Sequence, residues 1–314
     1  MTLKCKSLIT TTPIVCLPLF KPSRTSSASA PPRNKEIGMR IVFASFLFAM
    51  SATAFAETPR IISLGGGITE LVCALDACDK IVAVDTSSTF PESLKALPKV
   101  GYARNLSVEG IVALKPTMLL LDADAGPPHV IQKLEALKIP ITKVNSGSKL
   151  EDARVRIKEV AAALGTPDKG EKLLKEFDTK IAKLSSYQNE KVKKRVLFIY
   201  ARGGKHLMVA GDNTAVSTLL TLMGAQNAIQ GIDGFKPLTA EAVAAAKPDV
   251  ILMTQSGAES IGGRDAVFAL PGIKITPAGA NKKLFLDSDL ELLTIGPRTA
   301  DVIEAMHTEL GLKG

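Results

Sequence analysis

One short stretch of the chain combines a phenol and a cation in a way that suits ferric iron. Tyr102 and Arg104 are two residues apart, directly after Gly101. A phenol beside a fixed guanidinium gives up its proton more readily, and the resulting phenolate is a hard oxygen donor for Fe(III). The stretch therefore predicts an iron-binding tyrosine, provided that the rest of the chain can build a site around it.

Apolar runs of strand length alternate with segments of helical spacing along the chain. The runs occupy 60–64, 81–84, 119–121, 141–144, 196–200, 249–253 and 284–286. Between them, apolar residues recur every three or four positions, as in 130–137 and 150–164. This alternation predicts an α/β fold with mainly parallel sheets.

A long helical stretch separates two such series. After the interruption at 165–167, Asp168 begins a helical pattern that reaches about Gln188. About 20 residues at 1.5 Å per residue make a rod of roughly 30 Å, which can join two lobes stiffly. We therefore predict an N-terminal lobe over 57–166, an interlobe helix over 167–190 and a C-terminal lobe over 191–314.

The two predicted lobes share a sequence echo. Residues 106–116 align without gaps with 238–248, and each copy leads into an apolar strand. Each copy has the pattern of an N-capped helix, with Ser107 or Thr239 as the cap and Glu109 or Glu241 in the first turn. These glutamates either stabilise the helix starts alone or also present two matching carboxylates to a pseudo-symmetric partner.

The first 56 residues carry most of the net charge of +8. Seven of the 39 Lys and Arg lie there against one of the 31 Asp and Glu, so the remainder has 32 against 30 and gives no electrostatic argument for nucleic acid. Residues 39–56 have the basic start, apolar run and small-residue cleavage site of a secretory signal. We expect translation to begin at Met39, residues 1–38 to be a misassigned extension, and the mature protein to lie in the bacterial periplasm.

Two cysteines, Cys73 and Cys78, follow the signal segment. In an oxidising compartment they could pair. Five residues apart, with Cys73 on a predicted helix, they have an awkward geometry for a disulfide. We therefore expect Cys73 to be a small buried residue and Cys78 a turn residue.

Taken together, the motifs resemble the periplasmic substrate-binding proteins of ABC importers, and among these most closely the haem-binding proteins. The resemblance spans about 60–310 and is carried by 62–66 with 69–70, 97–104, 109–116, 203–204, 211–215, 270–272 and 276–279. It implies two Rossmann-like lobes, each with a mainly parallel sheet, joined by a single long rigid helix. The ligand would lie between the lobes of a monomeric carrier.

The resemblance also implies roles for individual residues. It places the axial haem ligand on Tyr102 with Arg104 as its charge partner, and it implies salt bridges from Glu109 and Glu241 to the permease. The alternatives are that Tyr102 is an ordinary aromatic lining the cleft and that Arg104 forms a structural ion pair. Tyrosinate is a known ligand of ferric haem. Some relatives have a histidine that ligates a second haem where this chain has Arg202, and arginine does not readily ligate iron. A two-haem stack is therefore in doubt, and Arg202 is expected to meet a haem propionate.

Further site candidates and competing functions follow from the same residues. Phe235 and Lys236 are candidates for a ring face and a propionate partner, whereas His129, His206 and His307 are expected to be outside the iron site. The predicted partners are haem, the ABC permease and, through it, the ATPase.

A carrier of a ferric siderophore or a corrinoid is the nearest alternative. An envelope enzyme is disfavoured because the chain has no G-x-S-x-G or H-E-x-x-H motif.

Overall fold

The computed structural model describes residues 58–189, 193–203 and 206–311 of the chain. Its N-terminal lobe is built on strands β1 (Ile61–Leu64), β2 (Ile81–Val84), β3 (Gly101–Tyr102), β4 (Asn105–Leu106), β5 (Met118–Asp122) and β6 (Ile141–Val144). Four of them form a parallel sheet in the order β2-β1-β5-β6, and β3 and β4 form a separate hairpin. Helices α1 (Gly66–Ala74), α2 (Val108–Val112), α3 (Pro128–Ala136) and α4 (Leu150–Ala163) cover this sheet.

The connection between the lobes is helical. Helix α5 (Pro167–Lys183) is followed by the short α6 (Ser185–Gln188), so the predicted single stretch breaks at Leu184. Leu174, Phe177 and Ile181 of α5 are buried, and their spacing places them on one face of the helix. Seventeen residues give α5 a length of about 25 Å.

The C-terminal lobe contains a mixed sheet. Its strands are β7 (Arg195–Ala201), β8 (Leu207–Ala210), β9 (Gln226–Asn227), β10 (Phe235–Pro237), β11 (Val250–Thr254) and β12 (Leu284–Asp287). The order is β10-β8-β7-β11-β12, with β9 beside β7, and only the pairs that involve β8 are antiparallel. The helices are α7 (Ala215–Leu222), α8 (Ala240–Ala246), α9 (Gln255–Ser260), α10 (Arg264–Phe268), α11 (Pro277–Ala280), α12 (Asp289–Leu293) and α13 (Thr299–Glu309), and short 3₁₀ turns occupy Cys78–Lys80, Glu92–Ala96 and Ile273–Ile275.

One hydrophobic core links the two sheets through the connecting helices. It contains Leu120 and Val196 from the two sheets, Ile157 from α4, Phe177 from α5 and Ile303 from α13. Two smaller clusters cover the remaining face of each sheet. Because α4, α5 and α13 pack into the shared core, the connection is a rigid support.

The predicted fold class is confirmed. The strand positions differ from the apolar runs by a residue or two at most, and the α/β pattern with a helical connection is present. The exact lobe boundaries and the two N-terminal segments, 1–38 and 39–56, remain predictions, and those segments lie outside the described residues. Within the described part of the chain, no helix has the length and apolarity needed to cross a membrane.

The expectation that Cys73 and Cys78 are unpaired is wrong. The two residues form a disulfide, with their Cα atoms 4.2 Å apart. Cys73 lies in the last turn of α1, and Asp76 adopts a left-handed conformation with φ 59° just after the helix. This tight reversal returns the chain to the helix end and brings Cys78 to Cys73.

A network of acidic residues and one arginine connects α1 to the C-terminal segment. Glu70 of α1 is buried and accepts hydrogen bonds from Arg298 at 3.2 and 3.3 Å. Arg298 also donates to Glu291 at 2.6 Å and lies over the ring of Phe90. Burial and a hydrogen bond with Glu291 raise the pKa of Asp287 to about 7. Asp287 therefore holds a proton next to the Glu291 carboxylate below about pH 7.

This bound proton predicts a pH dependence of stability. A carboxyl whose pKa is raised on folding stabilises the native state fully below its unfolded pKa, and the contribution is lost as the pH rises through its folded pKa. Between pH 4 and 7 the free energy of unfolding should fall for the wild type relative to Asp287→Asn, which keeps a donor toward Glu291 without the charge. We expect the difference to change by roughly 1–2 kcal/mol, because partial exposure screens the interaction.

The measurement is urea unfolding of both proteins at several pH values. Titrating groups that do not contact Asp287 cancel in the difference between the two profiles, which therefore reports on Asp287 together with its partner Glu291. Parallel profiles would contradict the assigned pKa of Asp287.

Candidate functional site

A cavity of about 530 Å³ lies between the two lobes. From the N-terminal lobe it receives the segments that follow β1, β5 and β6, and from the C-terminal lobe the end of β7 and the start of α7. Ligand sites of α/β proteins are usually found at the carboxyl ends of parallel strands. The cavity also has the size of a small-molecule pocket, which is about 300–1,000 Å³.

The start of α1 forms one wall of the cavity. Gly66 and Gly67 lie there, and a Cβ atom on Gly66 would be 2.6 Å from the carbonyl oxygen of Ser87. Only glycine therefore allows this close approach. The backbone N–H groups of Gly65 and Gly66 donate to Asp85 and Ser87, which fixes the turn into the helix.

Tyr102 lies on the β3–β4 hairpin and lines the cavity half-buried. Gly101 before it has φ 99°, a conformation that favours glycine. The backbone N–H of Thr86 donates to the carbonyl of Gly101 at 2.9 Å, and that of Gly126 donates to the carbonyl of Ala103 at 2.9 Å. These two bonds tie the hairpin to the ends of β2 and β5 and hold the phenol at the cavity.

Arg104 also lines the cavity, and it forms an ion pair. Its guanidinium donates to Asp124 at 3.4 Å, and both side chains are largely exposed. An exposed pair of this kind contributes little to stability. Arg104 therefore lies at the site and is paired with a carboxylate. Its role toward a ligand stays a prediction.

The cation that covers Tyr102 comes from the other lobe. The guanidinium carbon of Arg202 is 5.1 Å from the ring centre of Tyr102 and 5.6 Å from that of Tyr200. Although partial burial opposes its charge, the oxygens of Tyr200 and Tyr102 raise the pKa of Arg202. The contact therefore joins the two lobes through an arginine held between two tyrosines.

Tyr200 is a cavity residue that the sequence patterns did not single out. Its signal is a repeated tripeptide, since Tyr-Ala-Arg occurs at 102–104 and again at 200–202. In both copies the tyrosine is half-buried, the alanine buried and the arginine exposed. Both tyrosines and both arginines line the cavity.

Phe235 and Lys236 are neighbours on strand β10, but only Phe235 faces the cavity. Phe235 lines the cavity, with its ring centre 5.8 Å from that of Tyr200. Lys236 is exposed and is not among the cavity residues. Successive side chains of a strand point to opposite faces, so Phe235 and Lys236 cannot both face the ligand. The prediction for Lys236 therefore disagrees with its position.

Buried charges complete the N-terminal side of the cavity. Arg156 of α4 is buried and donates to the carbonyl oxygens of Asn145, Gly147 and Ile295 at 2.7, 2.6 and 2.8 Å. It therefore holds the loop after β6 against the C-terminal segment. Burial raises the pKa of the Asp122 carboxyl, which also lines the cavity.

The histidines lie away from the cavity. His129 and His206 are exposed, and His307 is buried with its ring stacked on Tyr187 at 3.8 Å. None of the three lines the cavity. Over residues 58–189, 193–203 and 206–311 the structure contains no cluster of three or more His, Cys, Asp or Glu suited to a metal ion.

The sequence echo is reproduced in the backbone. Ser107 and Thr239 cap α2 and α8 by accepting from the N–H groups of Gly110 and Ala242, both at 3.2 Å. In each copy the lysine before the proline is left-handed, with φ 48° at position 115 and 43° at position 247. The two segments are therefore structural as well as sequence repeats.

Glu109 and Glu241 are exposed in the first turns of these helices. The backbone N–H of Glu109 and a hydrogen bond of 2.8 Å from Ser107 lower the pKa of the Glu109 carboxyl. Glu109 is therefore held as a carboxylate at a fixed position on the surface. Glu109 therefore takes part in the start of α2, and its docking role stays a prediction.

Comparison with known proteins adds a family and several neighbours. Residues 61–290 match the family model described as periplasmic binding protein. The apo haem-binding protein RhuT from Roseiflexus sp. RS-1 is 39% identical, with 81% of this chain and 98% of that chain covered at a TM-score of 0.78. BhuT in complex with two haems is 37% identical, with coverages of 80% and 97% and a TM-score of 0.74. A vitamin B12-binding protein from Vibrio campbellii is 27% identical, with 76% of this chain and 86% of the relative covered.

Proposed function

Because the chain belongs to the periplasmic binding protein family, we propose that it captures ferric haem outside the cytoplasm and delivers it to an ABC permease. The observation that carries this proposal is the position of Tyr102. Its phenol faces the interlobe cavity on a hairpin fixed by backbone hydrogen bonds, beside a guanidinium from the opposite lobe.

Tyr102 would act as the axial ligand of the haem iron. Its oxygen binds Fe(III) as the phenolate, and the phenol proton passes to water. A guanidinium nearby favours the phenolate by electrostatic attraction. Arg202 can supply this charge from the C-terminal lobe because it already lies on the Tyr102 ring. Iron binding would then be strongest when the two lobes are together.

The remaining cavity residues would hold the porphyrin and its propionates. Phe235, Met208 and Leu290 offer apolar surface for the macrocycle. Arg104 is exposed at the cavity and paired only with an exposed carboxylate, so it can exchange Asp124 for a propionate. The starts of α1 and α7 add partial positive charge at the same cavity.

Delivery would use the repeated helices. Glu109 and Glu241 lie at equivalent places in the two lobes and are free of salt bridges to Lys or Arg among the described residues. They are suited to arginines on the permease, with the ATPase reached through the permease. The carrier itself would perform no chemical reaction, and the predicted signal at 39–56 would send it to the periplasm.

A corrinoid carrier is the second candidate. Vitamin B12-binding proteins are among the relatives of the chain, so the family alone does not fix the ligand. The phenol in the cavity favours haem, because a hard phenolate is a suitable axial ligand for ferric iron, whereas the cobalt of cyanocobalamin already carries axial ligands of its own. A ferric siderophore would bring oxygen donors of its own and would leave Tyr102 without a metal to bind.

The test is a titration of the purified protein with ferric haem, cyanocobalamin and a ferric catecholate siderophore in parallel. We expect saturable binding of haem with a high-spin, tyrosinate-type visible spectrum. Binding of cyanocobalamin or the siderophore in place of haem would overturn the proposal.

A further inference from the structure

A second cavity of about 530 Å³ lies in the C-terminal lobe, along the outer edge of its sheet. Strand β12 ends the strand order on that side, and its residues Leu284, Phe285 and Leu286 all line this edge cavity. Neighbouring side chains of a strand point to opposite faces of the sheet, so what three consecutive residues share is their backbone edge. The floor of the edge cavity is therefore the side of β12 that pairs with no other described strand.

The backbone of β12 turns hydrogen-bonding groups toward the edge cavity. The N–H of Ile251 on β11 donates to the carbonyl of Lys283 at 3.0 Å. Because successive residues of a parallel strand alternate in direction, the N–H and C=O groups of Leu284 and Leu286 face away from β11. The guanidinium of Arg264 donates to the carbonyl of Leu284 at 2.9 Å from that outer side, as this direction requires. Such an outward row of groups is a template for one further strand.

Helices enclose the edge from both faces of the sheet. Ala258 of α9 packs in the core cluster of one face, and Ile303 of α13 packs in the core of the other. A slot with walls on both faces admits a single extended chain. A second copy of this protein would bring an equally enclosed edge, and the helices would meet before the two strands reached the spacing of about 4.8 Å that pairing needs.

The charges of the edge cavity suit a basic chain. Glu259 of α9 and Glu309 of α13 line it from opposite faces, and both are exposed. Within the described ranges neither forms a salt bridge to Lys or Arg. A strand beside β12 would point two adjacent side chains to opposite faces, one toward each glutamate. Two adjacent Lys or Arg residues would therefore each meet a carboxylate.

We propose that the edge cavity binds an extended segment of a partner protein with two adjacent basic residues, as an added strand beside β12. The four residues of β12 span about 13 Å, which is enough for a short strand. Main-chain hydrogen bonds to Leu284 and Leu286 would give affinity, and pairing with Glu259 and Glu309 would give specificity. The site does not depend on the proposed haem function, because none of the described residues lines both this cavity and the interlobe one.

The experiment is a fluorescence anisotropy titration of the mature protein against a labelled peptide, Thr-Val-Lys-Lys-Val-Thr. We expect saturable binding of one equivalent. The same peptide with N-methyl groups on both lysine amides keeps its charge but cannot donate to β12, so it should not bind. The Glu259→Gln, Glu309→Gln variant should bind the unmodified peptide about fivefold more weakly, because two exposed ion pairs are lost.

The matched control is the Glu171→Gln, Glu304→Gln variant, which removes two exposed carboxylates outside the edge cavity. It should bind the peptide as the wild type does. Urea unfolding of both double variants should follow the wild type, which shows that they are folded whatever ligand the interlobe cavity takes.

The inference would be overturned by absence of saturable binding, by equal binding of the N-methylated peptide, or by unchanged affinity in the Glu259→Gln, Glu309→Gln variant. Sedimentation of the protein without peptide tests the other occupant of the edge. A dimer that this variant loses would show that β12 pairs with a second copy, and it would also overturn the inference. None of these results bears on haem binding, which the titration with ferric haem tests separately.

Discussion

Replacing Tyr102 with phenylalanine should weaken binding of ferric haem by at least about 100-fold. Loss of an outer-shell partner of a metal ligand already costs roughly 10–100-fold in affinity, and this substitution removes the ligand atom itself. The tyrosinate-type spectrum should disappear with it. Tyr102→Phe keeps the ring beneath Arg202, so the change isolates the oxygen from the packing.

The measurement is a competition titration against an apo-haem acceptor of known affinity, with visible spectra taken at each point. Arg104→Gln is the informative companion variant, because Arg104 lines the cavity and is paired with Asp124. It should weaken haem binding about tenfold or less and leave the spectrum unchanged. An unaltered spectrum in Tyr102→Phe would remove the basis for the iron ligand.

Arg202 shows why the chemistry of the site was only partly predictable from the sequence. Tyr102 was identified through a local motif, in which the phenol, the glycine before it and the arginine after it are all within four positions. The cation that lies on its ring is 100 residues away and reaches it only because the two lobes face each other. Spacing along the chain carries no signal for such a contact, and it points instead to the nearer Arg104 as the charge partner.

Strands were easier to predict than the turns between them. Buried parallel strands are continuous apolar runs, and β2 begins and ends where its run does. The pairing of Cys73 and Cys78 depends instead on the left-handed conformation of one residue, Asp76. The presence of an aspartate in the sequence is not enough to predict that conformation. Lys236 and Phe235 are adjacent in the sequence, but the alternation of side chains in β10 places only Phe235 at the cavity.

The two internal repeats differ in length, and the longer one is easier to recognise from the sequence. The echo at 106–116 and 238–248 was visible because eleven positions align, and the structure extends it to the backbone of the two lysines. The Tyr-Ala-Arg repeat is only three residues long and joins a two-residue strand in one lobe to a central strand in the other. So short a match has weight only when both copies are found at one cavity.

Reversing the charge of Glu109 and Glu241 together should abolish haem uptake by cells that depend on this carrier. Like charges placed opposite each other in an interface cost several kcal/mol, which corresponds to more than about 100-fold in affinity for the permease. Both side chains are exposed and outside the cavity, so the affinity for haem should stay within about twofold. The measurements are uptake in cells, binding to the permease in nanodiscs and haem titration of the same Glu109→Lys, Glu241→Lys variant.

Capping has to be separated from docking for this result to have meaning, because Glu109 also accepts a hydrogen bond from Ser107 at the start of α2. Ser107→Ala with Thr239→Ala removes both caps and keeps both glutamates. Each cap contributes about 1 kcal/mol, so this control should lower the free energy of unfolding and leave binding to the permease intact. If the cap variant lost permease binding as completely as the charge-reversed one, the glutamates would be stabilising their helices alone. If charge reversal removed haem binding as well, the two exposed carboxylates would belong to the ligand site, and this result would contradict the docking role.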